Sequence, residues 1–458
     1  MEKLNISNTG TFAVYPCSVT LRTQSPWTAW PYAETPVPLA SPIIDYRVIV
    51  SHPAHQGFAY HTVKGAQESG IRADFLTGLY YKPEALPFRL LDQLPDRWTS
   101  ALKRRLEKRR LAGLDPAAIT AVSGPLPDIA RRLFRGYRAS NAIHDRLAGR
   151  WLRRHVAKGE KGIYHGFLGS CLGSLKIAKA RGLATVLEIT LPPSAGVMVA
   201  QEHRRLGRTD VQMPDLSVEL AEIGTADYLV AQSSFGVNFL TDQGVPAQRI
   251  FLLPLGADTA RFHPLEAPRS EPPFRALFVG HLSVRKGLHH LLQAWSELDL
   301  PQAELVLVGN PVDKHGAALL ERYRSTYRRL GFVTHERLPE VYRDCDIFVF
   351  PSLAEGGALV ISEALASGLP CVVSANAPSV LRDGLEGYIV PVGDVAALKE
   401  RILRLHSDRA LRTRMAAAAR RRAEDFSWTD YYRRVGLMYG YIMNAKRPAD
   451  GVVDLSGS

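Results

Sequence analysis

PSLAEGGALVISEALASGLPCVVS, residues 351–374, carries two glutamates, Glu355 and Glu363, eight positions apart. Ahead of it, Ile347, Phe348, Val349 and Phe350 form a short apolar run closed by Pro351, the pattern of a buried parallel strand. Within it, Leu359, Val360, Ile361, Ala364, Leu365 and Ala366 recur at helical spacing until Gly368 and Pro370 end the pattern. The spacing predicts a helix beginning near Gly357. Eight helical residues rise about 12 Å, so both glutamates are expected on roughly one face, Glu355 at its mouth and Glu363 deeper. Gly356, Gly357 and Ala358 would leave the first N–H groups of that helix uncovered, and such donors attract anionic oxygen. Carboxylates beside an anion site suit the hydroxyls of an elongated ligand. Two glutamates alone also fit a plain N-cap and a solvated helix residue, the commoner fate of a glutamate.

Around this segment the sequence reads as a doubly wound α/β unit that starts with RALFVG at 275–280 and continues in strands at 304–309, 332–333, 347–350 and 371–373. Residues 279–287, VGHLSVRKG, follow the first of these strands and open a helix. Arg285 and Lys286 are thereby expected at a strand's carboxyl end, where open α/β sheets bind ligands. An Arg-Lys pair opening a helix is equally common on a plain surface. Upstream, YRVIV at 46–50, then His52 to Gly57 and a helix running to Gly70, open a first such domain, with further strands at 162–165, 184–188 and 228–231.

At 458 residues the chain exceeds one core, and two domains are expected. The organisation reads as a loosely ordered extension over 1–44 and a first domain over 45–255 with a basic helical insert at about 85–155. A second domain over 256–426, a crossing helix at 427–445 and a tail at 446–458 complete it. Hydrophobic content of 46% and charged content of 22% are those of a globular protein. Cys17, Cys171, Cys345 and Cys371 are widely spaced, which argues against a zinc site or a disulfide framework and for a reducing compartment. No apolar run reaches the ~18 residues that span a bilayer, and the first residues lack a secretory pattern, so a cytoplasmic location is expected.

Net charge is +12, and residues 97–154 hold fifteen Lys/Arg against four acids, or +11. Lys103, Arg104, Arg105, Lys108, Arg109 and Arg110 cluster there, with Trp98, Leu102 and Leu106 spaced as an apolar stripe. An anionic membrane face is the favoured partner, peripheral at the inner surface, with a solvated helix as the alternative and no nucleic acid expected.

Taken together, Pro351, Ser352, Glu355, Gly356, Leu359, Glu363, Ala364, Ala366, Gly368 and Pro370 resemble the Glu-x7-Glu signature of retaining GT-B glycosyltransferases, above all family 4. Ala358 replaces its usual glycine. LPLGADTARFHP at 253–264 resembles the interdomain signature, with Leu255 for asparagine, and 279–287 resembles V-G-R-L-x-x-x-K-G, with Lys286 matching and His281 in the arginine's place. Arg285 or a partly charged His281 is expected to compensate. The resemblance is close over about 215–445 and architectural before that.

The resemblance implies two Rossmann-like domains facing across a cleft, the last helix returning to the first domain. It also implies hexosyl transfer with retention from a nucleoside diphosphate sugar to a glycan, lipid-linked or small-molecule acceptor, with no metal and no cofactor beyond that co-substrate. Glu355, Lys286 and Arg285 would form the catalytic set, the two cations on the diphosphate. Glu363 would hold the ribose, and the backbone of Gly356, Gly357, Ala358 and Leu359 the sugar. Val333 in the 331–335 loop would hold the base, with Gly57, His281 and His165 as further substrate contacts. Thr190-Leu191-Pro192-Pro193 stands where the family often has a histidine, and Asp227 and Ser233 match its Asp and Ser positions. Two other functions fit the same residues: a nucleotide-sugar epimerase or hydrolase, and a basic membrane- or nucleic-acid-binding protein with a degenerate enzyme core.

Overall fold

The computed structural model describes residues 4–6, 12–14, 46–53, 57–84, 86, 88–107, 109–110, 113–127, 137–265, 273–312, 314–377, 380–444 and 453–454. Short runs of β-branched and aromatic residues, such as RVIVSH, FRALFV, AELVLV and IFVF, form strands buried on both faces, as parallel sheets require. Beyond a small antiparallel hairpin of β1 (Leu4–Ile6) and β2 (Phe12–Val14), two parallel sheets result.

The first lobe holds β3 (Arg47–His52), β4 (Arg72–Gly78), β5 (Ile119–Gly124), β6 (Gly162–Phe167), β7 (Ala184–Ile189), β8 (Tyr228–Ala231), β9 (Ile250–Leu252) and β16 (Val453–Asp454), in the order β16-β9-β8-β7-β6-β3-β4-β5. The second holds β10 (Phe274–Val279), β11 (Ala303–Val308), β12 (Arg328–Gly331), β13 (Ile347–Phe350), β14 (Cys371–Ser374) and β15 (Gly387–Val390), in the order β12-β11-β10-β13-β14-β15. Winding direction reverses between β3 and β6 in one lobe and between β10 and β13 in the other, and ligands of such sheets settle in the crevice beyond those strands' carboxyl ends.

The chain crosses between lobes twice, side by side. Ala257 pairs with Ser427: its N–H donates to the Phe426 carbonyl at 2.9 Å, and its carbonyl accepts from the Trp428 N–H at 3.2 Å. The Trp428–Asn444 helix then lies on the Gly57–Glu68 helix of the first lobe. His61 stacks on Trp428 at 3.6 Å, Thr62 Oγ1 meets the Tyr431 hydroxyl at 3.0 Å, and Gly65 leaves room for Val435. Tyr431, Val435, Met438, Tyr439 and Ile442 thereby enter the first lobe's core.

Several expectations are corrected. The basic insert is not helical throughout 85–155, because Ile119–Gly124 joins the sheet beside β4. The Tyr137–His155 helix packs Ala148, Gly149 and Leu152 inward, and its Arg146, Arg150, Arg153 and Arg154 form only the solvent face of an amphipathic helix. In the Asp96–Glu107 helix the apolar stripe is split, since Leu106 is buried while Leu102 is 45% exposed; the Trp98 side chain and Lys108 lie outside the described residues. Phe332 and Val333 follow a strand rather than form one, and within the expected tail Val453 and Asp454 pair with β9. Most of 1–44 lies outside the described residues. Among the described residues no helix is long and apolar enough to cross a membrane, and Cys171, Cys345 and Cys371 are buried.

Candidate functional site

β10 and β13 are neighbours, so the loops leaving their carboxyl ends meet at the second lobe's reversal point. They are stitched together: the Leu353 N–H donates to the Arg285 carbonyl at 2.8 Å, and Ser352 Oγ lies 2.9 Å from the same oxygen. Gly287, at φ +70°, sits so close to the Pro351 carbonyl that no side chain fits there. This stitching delivers Glu355, 6% exposed, into a ring of donors. Its Oε1 accepts from Lys286 Nζ at 2.7 Å, Arg285 Nη1 at 2.9 Å and Ser352 Oγ at 2.6 Å. Two cations facing one carboxylate leave a net positive charge in a largely buried spot. Burial lowers the Lys286 ammonium pKa, and Glu355 pulls it back up.

Burial, then Lys286 and Arg285, push the His281 imidazole below the ordinary histidine value. Of the two expected compensations, Arg285 is the one that hydrogen-bonds Glu355.

The helix carrying Glu363 starts at Leu359, after Ala358 at φ −87° and ψ 87°, and is eight residues long. Glu355 therefore lies in the preceding loop, not on a shared helical face, and caps nothing. Glu363, 9% exposed, accepts from the Tyr342 hydroxyl at 3.0 Å and faces His335 Nε2 at 3.3 Å. The hydrogen bond that His335 donates to Glu363 raises the His335 pKa above its ordinary value. A raised histidine stabilises the fold fully below its unfolded value of about 6.5 and loses that contribution as pH climbs through the folded value. With His335 half exposed, the effect stays below about 1 kcal/mol. His335→Gln should therefore lower the melting temperature at about pH 6 more than at about pH 8, and a difference unchanged between these two conditions would refute the pairing.

The glycines serve the contact between lobes. A Cβ on Gly356 would overlap the Thr190 carbonyl oxygen of the first lobe, and one on Gly357 would stand 2.6 Å from Gln232 Oε1 and 2.7 Å from Leu255 Cδ1. Leu359 packs against the first lobe's core. Thr190 and Leu255, two of the sequence's departures from the family pattern, thus border the glycine loop.

Other expected residues are placed differently. His165 lies within β6, fully buried, with Nδ1 on the Tyr439 hydroxyl at 2.8 Å and Nε2 3.1 Å from Glu188. It reaches the glycine loop only through Glu188 and Gln232, whose Nε2 donates to Glu188 at 2.6 Å, so its expected place facing the cleft is corrected. Gly57 opens its helix in open space, and nothing there requires a glycine. Val333 is half-buried against the second lobe's core. Asp227 accepts from Lys179 and Thr185, and Ser233 caps the Ser234–Asp242 helix, so both are structural. Ser352, Tyr342 and His335 hold the two glutamates without having been singled out. Ser352 stands in the motif itself, whereas Tyr342 carries no local signal.

Residues 263–422 match the family described as Glycosyl transferases group 1. The colanic acid biosynthesis glycosyltransferase WcaL of Salmonella typhimurium is 26% identical over 217 residues, 44% of this chain and 53% of that protein. A D-inositol 3-phosphate glycosyltransferase of Nocardia farcinica is 30% identical over 279 residues, 55% and 61% of the two chains. The chain spans about half the length of the curated relatives it matches. Among solved structures, sucrose-phosphate synthase from Thermosynechococcus elongatus superposes with a TM-score of 0.63 at 20% identity, over 88% of this chain and 100% of that one. Anabaena HepE, in complex with UDP and glucose, gives 0.58 at 15%, over 86% and 99%. These likenesses show the fold: the chain has the two-lobed GT-B architecture, and residues 263–422 of its second lobe match the Glycosyl transferases group 1 family.

Proposed function

We propose that the chain transfers a hexosyl group from a nucleoside diphosphate sugar to a hydroxyl acceptor, with retention of anomeric configuration. The observation that carries this is the hold of Lys286 and Arg285 on one oxygen of Glu355 at the reversal point of the second sheet. A diphosphate reaching that spot takes over the two cations and frees the Glu355 carboxylate for sugar hydroxyls. Glu363, held by Tyr342, offers its oxygens to the ribose hydroxyls. As the glycosidic bond breaks, its electron pair moves to the phosphate oxygen, and fixed cations stabilise the charge that develops there. That oxygen then takes the proton of the acceptor hydroxyl attacking the same face. No protein base and no metal is needed for this step.

Thermal melting with UDP-, GDP- and ADP-sugars tests the reading. A donor at 100 times its dissociation constant adds about 2.7 kcal/mol, and sugar should be consumed only when an acceptor is supplied. Consumption without acceptor would point to a hydrolase or epimerase instead, and no shift with any of the three would overturn donor binding.

We further propose that the acceptor is glycan or lipid-linked and met at an anionic membrane face. Leu86, Leu90, Leu94 and Leu102 are exposed by 72%, 47%, 47% and 45% along one segment, interleaved with exposed arginines. Leu90→Glu combined with Leu94→Glu should abolish co-sedimentation with phosphatidylglycerol-containing vesicles. Undiminished binding by that variant would remove the membrane from the proposal.

A further inference from the structure

The Leu288–Leu298 helix begins directly after Lys286 and Gly287, and its first turn carries His289 and His290, 8% and 5% exposed, with ring centroids 3.8 Å apart. Both turn Nε2 to one oxygen of Glu202, at 2.9 and 3.5 Å. Glu202 belongs to the Ser194–Arg205 helix of the other lobe. The Nδ1 atoms of both imidazoles are buried without a hydrogen-bond partner. Two leucines would fill this space without the cost of burying polar rings, so what holds the pair acts through the Nε2 atoms that face Glu202. A single carboxylate oxygen does not account for the pair either, since 3.5 Å is beyond a good N–H···O bond. Histidine is also concentrated here: beside Glu202, His203 faces His315 of the second lobe with ring centroids 5.7 Å apart, so four of the chain's 14 histidines sit at this contact.

The ligand atoms of Glu202, His289 and His290 all lie within 4.8 Å of one another. Zinc holds tetrahedral ligands at about 2.0–2.1 Å, which places them about 3.3–3.4 Å apart, and the two separations from Glu202 bracket that spacing. We propose that Glu202, His289 and His290 form an interlobe site for a first-row divalent cation of the zinc kind, with a fourth position left to water. Two imidazoles beside one carboxylate favour such an ion over magnesium or calcium, which take oxygen ligands. Binding requires each imidazole to be neutral with its proton on Nδ1, so that Nε2 presents a lone pair to the ion.

The cation acts as a clasp, not as part of the transfer step. It joins the first lobe to the turn that follows Lys286 and holds the two lobes at the spacing seen here. None of its three ligands hydrogen-bonds Glu355 or Glu363 in the contacts described above, so the site stands or falls independently of the proposed transfer.

The test uses the tag-free full chain, stripped with chelator and titrated calorimetrically with zinc chloride and with magnesium chloride. One zinc per chain and no magnesium are expected, together with a zinc-dependent rise in melting temperature. Changing a partner that merely orients a ligand already costs 10–100-fold, so Glu202→Gln should weaken zinc binding at least about 100-fold. The double variant His289→Leu/His290→Leu should abolish it while melting as cooperatively as the stripped wild type. If the double variant does not fold, the isosteric Glu202→Gln decides alone. Zinc affinity within about threefold of wild type in Glu202→Gln, or equal binding of zinc and magnesium, would overturn the site.

Discussion

Lys286→Ala should lower kcat/KM for sugar transfer by about 10²–10³-fold, the usual cost of deleting one fixed donor that stabilises charge in a transition state. The folded state should suffer less. Glu355 keeps Arg285 and Ser352 as partners, so the carboxylate is not left buried and unpaired, and the loss is about 1–3 kcal/mol, as for one hydrogen bond to a charged group. The variant should therefore melt cooperatively a few degrees lower while its turnover collapses. It should also lose most of the melting shift given by nucleoside diphosphates, because the same ammonium meets the ground-state charge. Turnover within about threefold of wild type would remove Lys286 from the reaction. A full melting shift with no turnover would instead restrict its role to the departing group.

Gly356→Ala should be nearly as damaging to turnover, for a different reason. The methyl group would overlap the Thr190 backbone carbonyl, and backbone cannot swing aside as a flexible side-chain end can. The loop carrying Glu355, or the whole second lobe, must move by about an ångström or more, and a displacement of that size costs about 10²-fold in rate. Each lobe keeps its own core, so the melting temperature should fall only modestly. Small-angle scattering should report a more open particle than wild type. Wild-type rates with unchanged scattering would show that the lobes need not approach this closely during turnover.

The second lobe is largely legible in its residues because its strands are buried on both faces and read as unbroken runs such as ALFV, LVLV and IFVF. Where burial is partial, the reading fails. Arg328–Gly331 is an edge strand of sequence RRLG, and its exposure lets two arginines stand where a strand is not expected. Ile119–Gly124 is likewise an edge strand with half-buried residues, hidden between basic segments. At the site, Glu355, Lys286 and Arg285 are recoverable from spacing because the loops at one reversal point are short. Tyr342 and His335 are not, since only the folded lobe brings them to Glu363. His165 misleads for a related reason: a histidine on a strand looks available until the Trp428–Asn444 helix seals it with Tyr439.

That returning helix also sets an order of assembly. The amino-terminal half leaves the ribosome first, yet Val435, Met438 and Tyr439 of its interior are translated only after the whole of the second lobe. Domains otherwise tend to fold in the order of synthesis. Here the later-made half has every strand it needs and can mature on its own, while the earlier-made one waits with an apolar flank uncovered. During that interval the nascent chain is a natural client for chaperones, its first half unfinished until the returning helix is made.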